Sequence, residues 1–140
     1  MKVNWFSTTL VIILVCILIW IVSSQIREYH LQDDPMLHYL KQVLSPLHPI
    51  VANLKLYRGN KSYTINKEKI FLCLRDKKTG DYYPLSTLIF VLTHEISHSL
   101  NTKDVGHTPE FHRIFEELLA RAKELGIYNP EIQIPTDYCE

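Results

Sequence analysis

Apolar residues fill the first part of the chain without any polar face. From residue 5 to residue 24 there is no charged side chain, and about twenty such residues are what an α-helix needs to cross a bilayer core of about 30 Å. A surface helix of a soluble domain would alternate apolar and polar positions with the helical period, and this run does not. The pattern predicts an N-terminal transmembrane signal-anchor over residues 1–26, and hence a single-pass membrane protein.

The fate and the orientation of this segment stay open. Small residues at Val22-Ser23-Ser24 offer a point where a signal peptidase could cut, although the run is long for a cleaved signal peptide. Lys2 lies before the span, and Arg27 and Lys41 lie after it. Under the positive-inside rule this is close to a tie, so the side of the membrane that carries the remaining chain is not decided.

Residues 27–53 are predicted to be a linker with one short amphipathic helix. Asp34 has the side chain of an N-cap, and Pro35 suits the first helical position. Apolar residues then recur at helical spacing as far as Leu44, and Pro46 stops the pattern. We expect a helix over Pro35–Leu44 that packs on the core rather than along a membrane surface.

After residue 53 the apolar period changes from helical to alternating, which is typical of strands. Turn-forming residues, Gly59-Asn60 and then Asn66-Lys67-Glu68, separate the apolar runs. Consecutive short strands joined by short turns favour hairpins. The pattern predicts a small antiparallel sheet of about three strands over residues 54–57, 63–65 and 70–74, with a possible short edge strand at residues 82–83.

Two helices are predicted after the sheet. The first is a nearly unbroken apolar run that Ser86 can cap, that extends to about Leu100, and that ends at Asn101 in a left-handed conformation. The second begins at Thr108, which is followed by proline, and ends at Gly126. A small antiparallel sheet packed on these helices gives the predicted fold class, α+β.

The charge of the chain argues against one class of partner. The chain of 140 residues has a formal net charge of zero, and the part beyond residue 26 has fourteen of the fifteen basic and all fifteen acidic residues. No basic patch stands out, so there is no electrostatic case for nucleic-acid binding.

The cysteines and one sequon depend on the compartment. Cys16 lies in the predicted span, while Cys73 and Cys139 could form a disulfide in an oxidising compartment or remain free thiols, which we favour slightly. No Cys-x-x-Cys occurs, which argues against a thiolate zinc site. Asn60 begins a glycosylation sequon that matters only if the domain is lumenal.

The strongest chemical signal lies in the first of the two helices predicted after the sheet. It is the motif His94-Glu95-Ile96-Ser97-His98. Histidines at i and i+4 lie on one helix face, where their nitrogens can bind one Zn²⁺. The residue between them, Glu95, can act as a general base beside the metal. Burying Glu95 without such a role would cost several kcal/mol or force it to take a proton.

A catalytic zinc needs a third ligand and a fourth position left for water. His107 is our candidate, because Gly106 allows a tight approach and the following helix would fix the position of the imidazole. The expected reaction is hydrolysis of a peptide bond in a protein or peptide substrate. The alternative is a zinc-stabilised binding module without turnover. Rival third ligands are Glu117, Glu116, His112 and Asp104.

The motif and its continuation, Gly106-His107-Thr108-Pro109-Glu110-Phe111 followed by an amphipathic helix, resemble the zincin metallopeptidases of the WLM and SprT-like group, in particular the small single-domain versions of large DNA viruses and protists. The resemblance implies a minimal zincin-like metallopeptidase domain over residues 54–140, zinc ligands at His94, His98 and His107, and a catalytic Glu95. Better-known members cleave proteins crosslinked to DNA, which gives a second alternative. A membrane span and the missing basic patch argue against that role, and the spacing from His98 to His107 differs from that of WLM proteins.

Overall fold

The N-terminal apolar run forms one continuous helix, α1 (Trp5–Gln32), in the computed structural model, which describes residues 4–139. Its 28 residues extend for about 42 Å, more than the bilayer core requires. Within residues 4–139, α1 is the one helix long and apolar enough to cross a membrane, and a signal sequence would pass the same test. The anchor and its boundary at residue 26 therefore stay predictions.

The chain divides into two compact units, Met1–Leu31 and Gln32–Glu140. The second begins with α2 (Pro35–Leu44), which confirms the predicted helix. The Asp34 side chain accepts a hydrogen bond of 2.9 Å from the backbone N–H of Met36, as an N-cap should. Asp34 also accepts a bond of 2.9 Å from the hydroxyl of Tyr82. The apolar side of α2 lies in the core, as expected. A 3₁₀-helix (Pro49–Asn53) follows.

The sheet is small, as predicted, but it is mixed rather than antiparallel. Strands β1 (Lys55–Arg58), β2 (Tyr63–Ile65) and β3 (Lys69–Leu72) lie in the order β1-β3-β2. β2 and β3 form the expected antiparallel hairpin, whereas β1 pairs with β3 in parallel. The predicted edge strand at residues 82–83 is reduced to one isolated bridge between Arg75 and Tyr82.

The connection from β1 to β2 explains the strand order. Residues 59–62 cross the end of β3 instead of turning back beside β1. They need to span two strand spacings, about 10 Å, which four extended residues can reach. The backbone N–H of Gly59 donates to the carbonyl of Leu72 at 2.8 Å, so the chain stays bonded to β3 as it leaves β1. A Cβ at residue 59 would lie 3.3 Å from the Cβ of Phe71, so the crossing is tight.

Two helices complete the second unit, α3 (Leu85–Leu100) and α4 (Pro109–Glu124). Thr108 caps α4, accepting a bond of 3.3 Å from the N–H of Phe111, which confirms the predicted start. Two details of α3 were predicted wrongly. The helix begins one residue before Ser86, so Ser86 is not its N-cap. Asn101 has φ −73° and ψ 94° rather than a left-handed conformation, because its side chain organises the following loop.

The core of the second unit lies between the sheet, α2 and α3. The sheet and the apolar sides of α2 and α3 supply most of the fully buried residues, and the 3₁₀-helix and α4 supply others. The α+β fold class is thereby confirmed, with the sheet packed on helices. Side chains at 0–2% exposure include Leu40, Leu44, Val51, Ile70, Leu72, Leu88, Leu92 and Ile96.

The C-terminal residues pack on the same unit through a disulfide. Cys73, just after β3, is bonded to Cys139, so our expectation of free thiols was wrong for this pair. The backbone N–H of Cys139 also donates to the hydroxyl of Tyr83 at 2.9 Å. Among residues 4–139, Cys16 is the free cysteine.

Candidate metal centre

Helix α3 brings its polar residues to the cleft because its last turns are only partly covered. His94 and His98 are half-buried, and Glu95 between them is 5% exposed. The hydroxyls of Thr93 and Ser97 donate to carbonyls one turn earlier, at 2.7 and 2.8 Å, so these buried groups are satisfied within the helix. The imidazoles and the carboxylate of Glu95 therefore remain the polar groups of these turns that face the cleft.

Three histidines converge at this end of α3. Potential ligand nitrogens of His94, His98 and His107 all lie within 4.8 Å of one another, and the Nε2 atoms of His94 and His107 are 3.0 Å apart. Nitrogens bound to one tetrahedral zinc would be about 3.3 Å apart, so small rotations would seat an ion. The group could hold a metal ion.

The chemistry of the donors fits a divalent metal. Burial lowers the pKa of His94 from 6.5 to about 4, with a smaller contribution from the neighbouring histidines. Burial also lowers the pKa of His98. Both imidazoles are therefore neutral at pH 7 and keep a lone pair for a ligand bond. Three imidazole nitrogens with a further position open is a donor set that suits Zn²⁺.

An aromatic cluster packs against the histidine rings. Phe111, fully buried in the first turn of α4, has its ring centroid 4.8 Å from that of His94, 4.3 Å from that of His98 and 4.9 Å from that of His107. The ring of Phe115 lies 5.2 Å from His94. Because these rings fill the space behind the imidazoles, they limit the rotamers the histidines can adopt.

The loop between α3 and α4 positions His107. Asn101, 2% exposed, accepts from the backbone N–H groups of Lys103 and Asp104 and donates to the Asp104 carboxylate. The same carboxylate accepts a bond of 2.7 Å from Thr108, the N-cap of α4. Gly106 has φ 89°, a value that favours glycine. These contacts fix the loop on both sides of His107.

Glu95 points into the same cleft and is held by the sheet. The hydroxyl of Thr64, in the edge strand β2, donates to Oε2 of Glu95 at 2.5 Å. Burial raises the pKa of Glu95, and the bond from Thr64 offsets part of that rise. Sequence reasoning did not identify Thr64, because nothing local links a strand residue to a helix thirty residues later.

A cleft of about 660 Å³ lies over these groups. One wall is formed by β2 and the turn after it, where Lys67 donates to the carbonyl of Asn101 at the end of α3. The other wall is the loop that carries His107, including Val105, which is 88% exposed. Strand and loop leave a channel between them, with the histidines and Glu95 at its floor.

None of the rival third ligands belongs to the histidine group, although Asp104 lines the same cleft. Asp104 is bonded to Asn101 and Thr108. Glu117 pairs with Arg113 at 2.6 Å on the surface of α4. Glu116 and His112 are exposed on α4 and do not belong to the histidine group.

The described unit is thus an α+β domain with a three-histidine group that could hold a metal, beside a buried glutamate. No protein-family model matches the chain. The chain is 50% identical over 92 residues to uncharacterized protein 136R of Invertebrate iridescent virus 6, and the match covers 64% of this chain and 51% of that protein. It is 40% identical over 102 residues to uncharacterized protein 042R of Invertebrate iridescent virus 3, across 69% and 64%. The chain therefore spans about half to two-thirds of the length of these relatives.

A solved structure with a similar arrangement is that of Wss1 from Saccharomyces cerevisiae. The TM-score is 0.48 at 19% identity, across 69% of this chain and 88% of that chain. Similarity at this level does not assign a family or an activity.

Proposed function

We propose that this protein is a zinc-dependent metallopeptidase, with His94, His98 and His107 as the residues that would hold the ion. The observation that carries the proposal is the convergence of three imidazole nitrogens within 4.8 Å in the cleft that also contains Glu95. A structural metal site needs ligands but no buried carboxylate beside them. Glu95, 5% exposed, is difficult to explain without a chemical role.

Glu95 would accept and then donate the proton that moves during the reaction. When bound, Zn²⁺ would supply positive charge that polarises a peptide carbonyl and makes water more acidic. Thr64 occupies Oε2 of Glu95, which leaves Oε1 to accept a proton from the attacking water. Because burial raises the pKa of Glu95, the protonated carboxyl can then return that proton to the nitrogen of the leaving amine.

The cleft suits an extended peptide as substrate. β2 is an edge strand of the sheet, so its unpaired side can form hydrogen bonds with a further strand. The same strand carries Thr64, which holds Glu95, so a peptide paired with β2 would pass close to the general base. We therefore propose a protein or peptide substrate that lies along β2.

Two further points belong to this proposal. We propose that α1 anchors the protein in a membrane as a single span, which carbonate extraction of membranes would test. We also propose that the protein belongs to the WLM and SprT-like group, on the basis of its histidine motif and of Phe111 at the Gly-His-x-x-x-Phe position. A role on DNA-crosslinked proteins has no support from the charge of the domain.

Glu95→Gln is the decisive experiment. The full chain, purified in detergent, should contain about one zinc per chain and cleave fluorogenic peptides. The variant should keep its zinc and lose activity by about 10²–10⁴-fold, the usual contribution of a general base. Glu124→Gln, an exposed carboxylate at the end of α4, is the matched control and should behave as wild type.

Two results would refute the proposal. One is a wild-type protein that binds zinc but cleaves no peptide, which would favour the binding module. The other is a Glu95→Gln variant as active as the wild type.

A further inference from the structure

The C-terminal strap, residues 137–139, is tied to the domain beside the candidate site. Cys139 is bonded to Cys73, and its carbonyl accepts a bond of 3.1 Å from Nζ of Lys77. The ring of Tyr138 packs against that of Tyr83, with centroids 4.7 Å apart. None of these contacts involves the histidines, yet the strap touches the segment that leads into β2.

Tyr138, Ser62 and Cys73 form a closed ring of hydrogen bonds. The Tyr138 hydroxyl donates to the carbonyl of Cys73 at 2.7 Å. Its one hydrogen is then used, so the Ser62 hydroxyl, 2.7 Å away, must donate to the Tyr138 oxygen. Ser62 Oγ in turn accepts the backbone N–H of Cys73 at 3.0 Å. Burial raises the pKa of Tyr138 to about 12, so this donor keeps its proton at neutral pH.

This ring acts on β2, which has a strand neighbour on one side only. Ser62 directly precedes β2, and two residues later Thr64 bonds to Glu95 at 2.5 Å. A strand of three residues at a sheet edge has few backbone bonds of its own to keep it in place. The bond from Ser62 to Tyr138 is therefore a second attachment for the strand that orients the general base.

We propose that the C-terminal strap positions Glu95 through Ser62 and Thr64, and that the disulfide makes this positioning sensitive to reduction. The proposal rests on the proposed peptidase function. A cellular dithiol would transfer two electrons and two protons, which opens Cys73–Cys139 to two thiols and closes the dithiol into its own disulfide. The released strap would no longer hold Tyr138 against Ser62. Tyr138 is a positioning residue, not a catalytic one.

Tyr138→Phe tests this most directly, because it removes the hydroxyl and keeps the ring that packs on Tyr83. In the full chain loaded with zinc, we expect kcat to fall about tenfold, with KM and zinc content unchanged, because a misplaced base affects the chemical step. Tyr128→Phe is the matched control, since that half-buried ring packs near Phe90. It should leave kcat unchanged.

Hydrogen exchange supplies a readout that does not depend on activity. The amides of β2 should exchange faster in Tyr138→Phe and in the Cys73→Ala/Cys139→Ala double variant, while α4 is unaffected. Reduction of the wild type by a phosphine, which does not sequester zinc as a dithiol would, should reproduce both effects.

The possible outcomes separate the two proposals. A wild type without peptidase activity overturns the function, and the exchange at β2 then decides alone whether the strap holds the strand. Unchanged β2 exchange in Tyr138→Phe and in the reduced protein overturns the inference. So does faster exchange with an unchanged kcat in an active enzyme, because the strand would then move without affecting the base.

Discussion

Phe111→Ala should damage both the fold and the candidate metal centre, because one ring contacts all three histidines. Phe111 is completely buried, and its ring centroid lies within 4.9 Å of the centroids of His94, His98 and His107. The stacked contact with His98, at 4.3 Å and 28°, is the closest. Truncation would leave a cavity directly behind the imidazoles.

The expected cost follows from the transfer of a buried phenyl group and from that cavity. Phe→Ala at fully buried sites costs about 3–5 kcal/mol, a large share of the 5–15 kcal/mol that stabilises a typical domain. Because α3 and α4 are joined by a hydrogen-bonded loop here, we expect little collapse and a value in the upper half of that range. Freed histidine rotamers should also weaken metal affinity, and each tenfold loss removes about 1.4 kcal/mol of the stabilisation by zinc.

Urea unfolding of the full chain in detergent measures both effects, with and without zinc. Near-ultraviolet circular dichroism can follow the loss of packing around the tyrosines of the second unit, because Trp5 and Trp20 both lie in α1 and the second unit contains no tryptophan. Phe111→Leu, which keeps most of the volume, is the control and should cost clearly less. The reasoning would be refuted if the metal-free Phe111→Ala protein lost less than about 1 kcal/mol of its free energy of unfolding. It would also be refuted if zinc stabilised the variant as much as it stabilises the wild type.

Three other measurements test separate parts of the structure. Reduction of Cys73–Cys139, which closes a loop of 66 residues, should lower the free energy of unfolding by up to about 4 kcal/mol; coincident denaturation curves would contradict this. Thr108→Ala should cost about 1 kcal/mol and weaken zinc binding, whereas Thr108→Ser should restore the cap. The folded-state pKa of His94 lies below its ordinary 6.5. The unfolded chain therefore binds more protons between pH 6.5 and about 4, and the metal-free protein should lose stability as pH falls through that window. His94→Gln should flatten this dependence, and an equally steep profile would contradict the assignment.

Local sequence patterns were sufficient to predict the helices and to single out the three histidines. An N-cap followed by proline defines α2 and α4 through contacts between neighbouring residues, and the spacing of His94 and His98 fixes their shared face once a helix forms. His107 lies only nine residues further on, beside a cap at Thr108. These contacts are between residues close in sequence, so the local sequence contains most of the information needed to predict them.

The strand order and the contacts that attach Glu95 to β2 and β2 to the C-terminal strap could not be predicted in this way. Alternation of apolar residues assigns a face to each strand but does not say which strand is its neighbour. Thr64 is 31 residues from Glu95, and Tyr138 is 76 residues from Ser62. Such pairs depend on how distant segments pack, and threonine or tyrosine in these positions gives no local signal.

Local and distant contacts also have different roles within the candidate site. The histidines are held by α3, by α4 and by the loop between them, while Glu95, the proposed general base, is bonded to β2, which is in turn attached to the C-terminal strap. Metal binding and turnover should therefore be separable by mutation. Changes around Phe111 or Thr108 should act first on metal affinity, and changes at Thr64 or Tyr138 should act on turnover in a protein that still binds its ion. A site that merely stabilised the fold with zinc would have no reason to depend on the second set of residues.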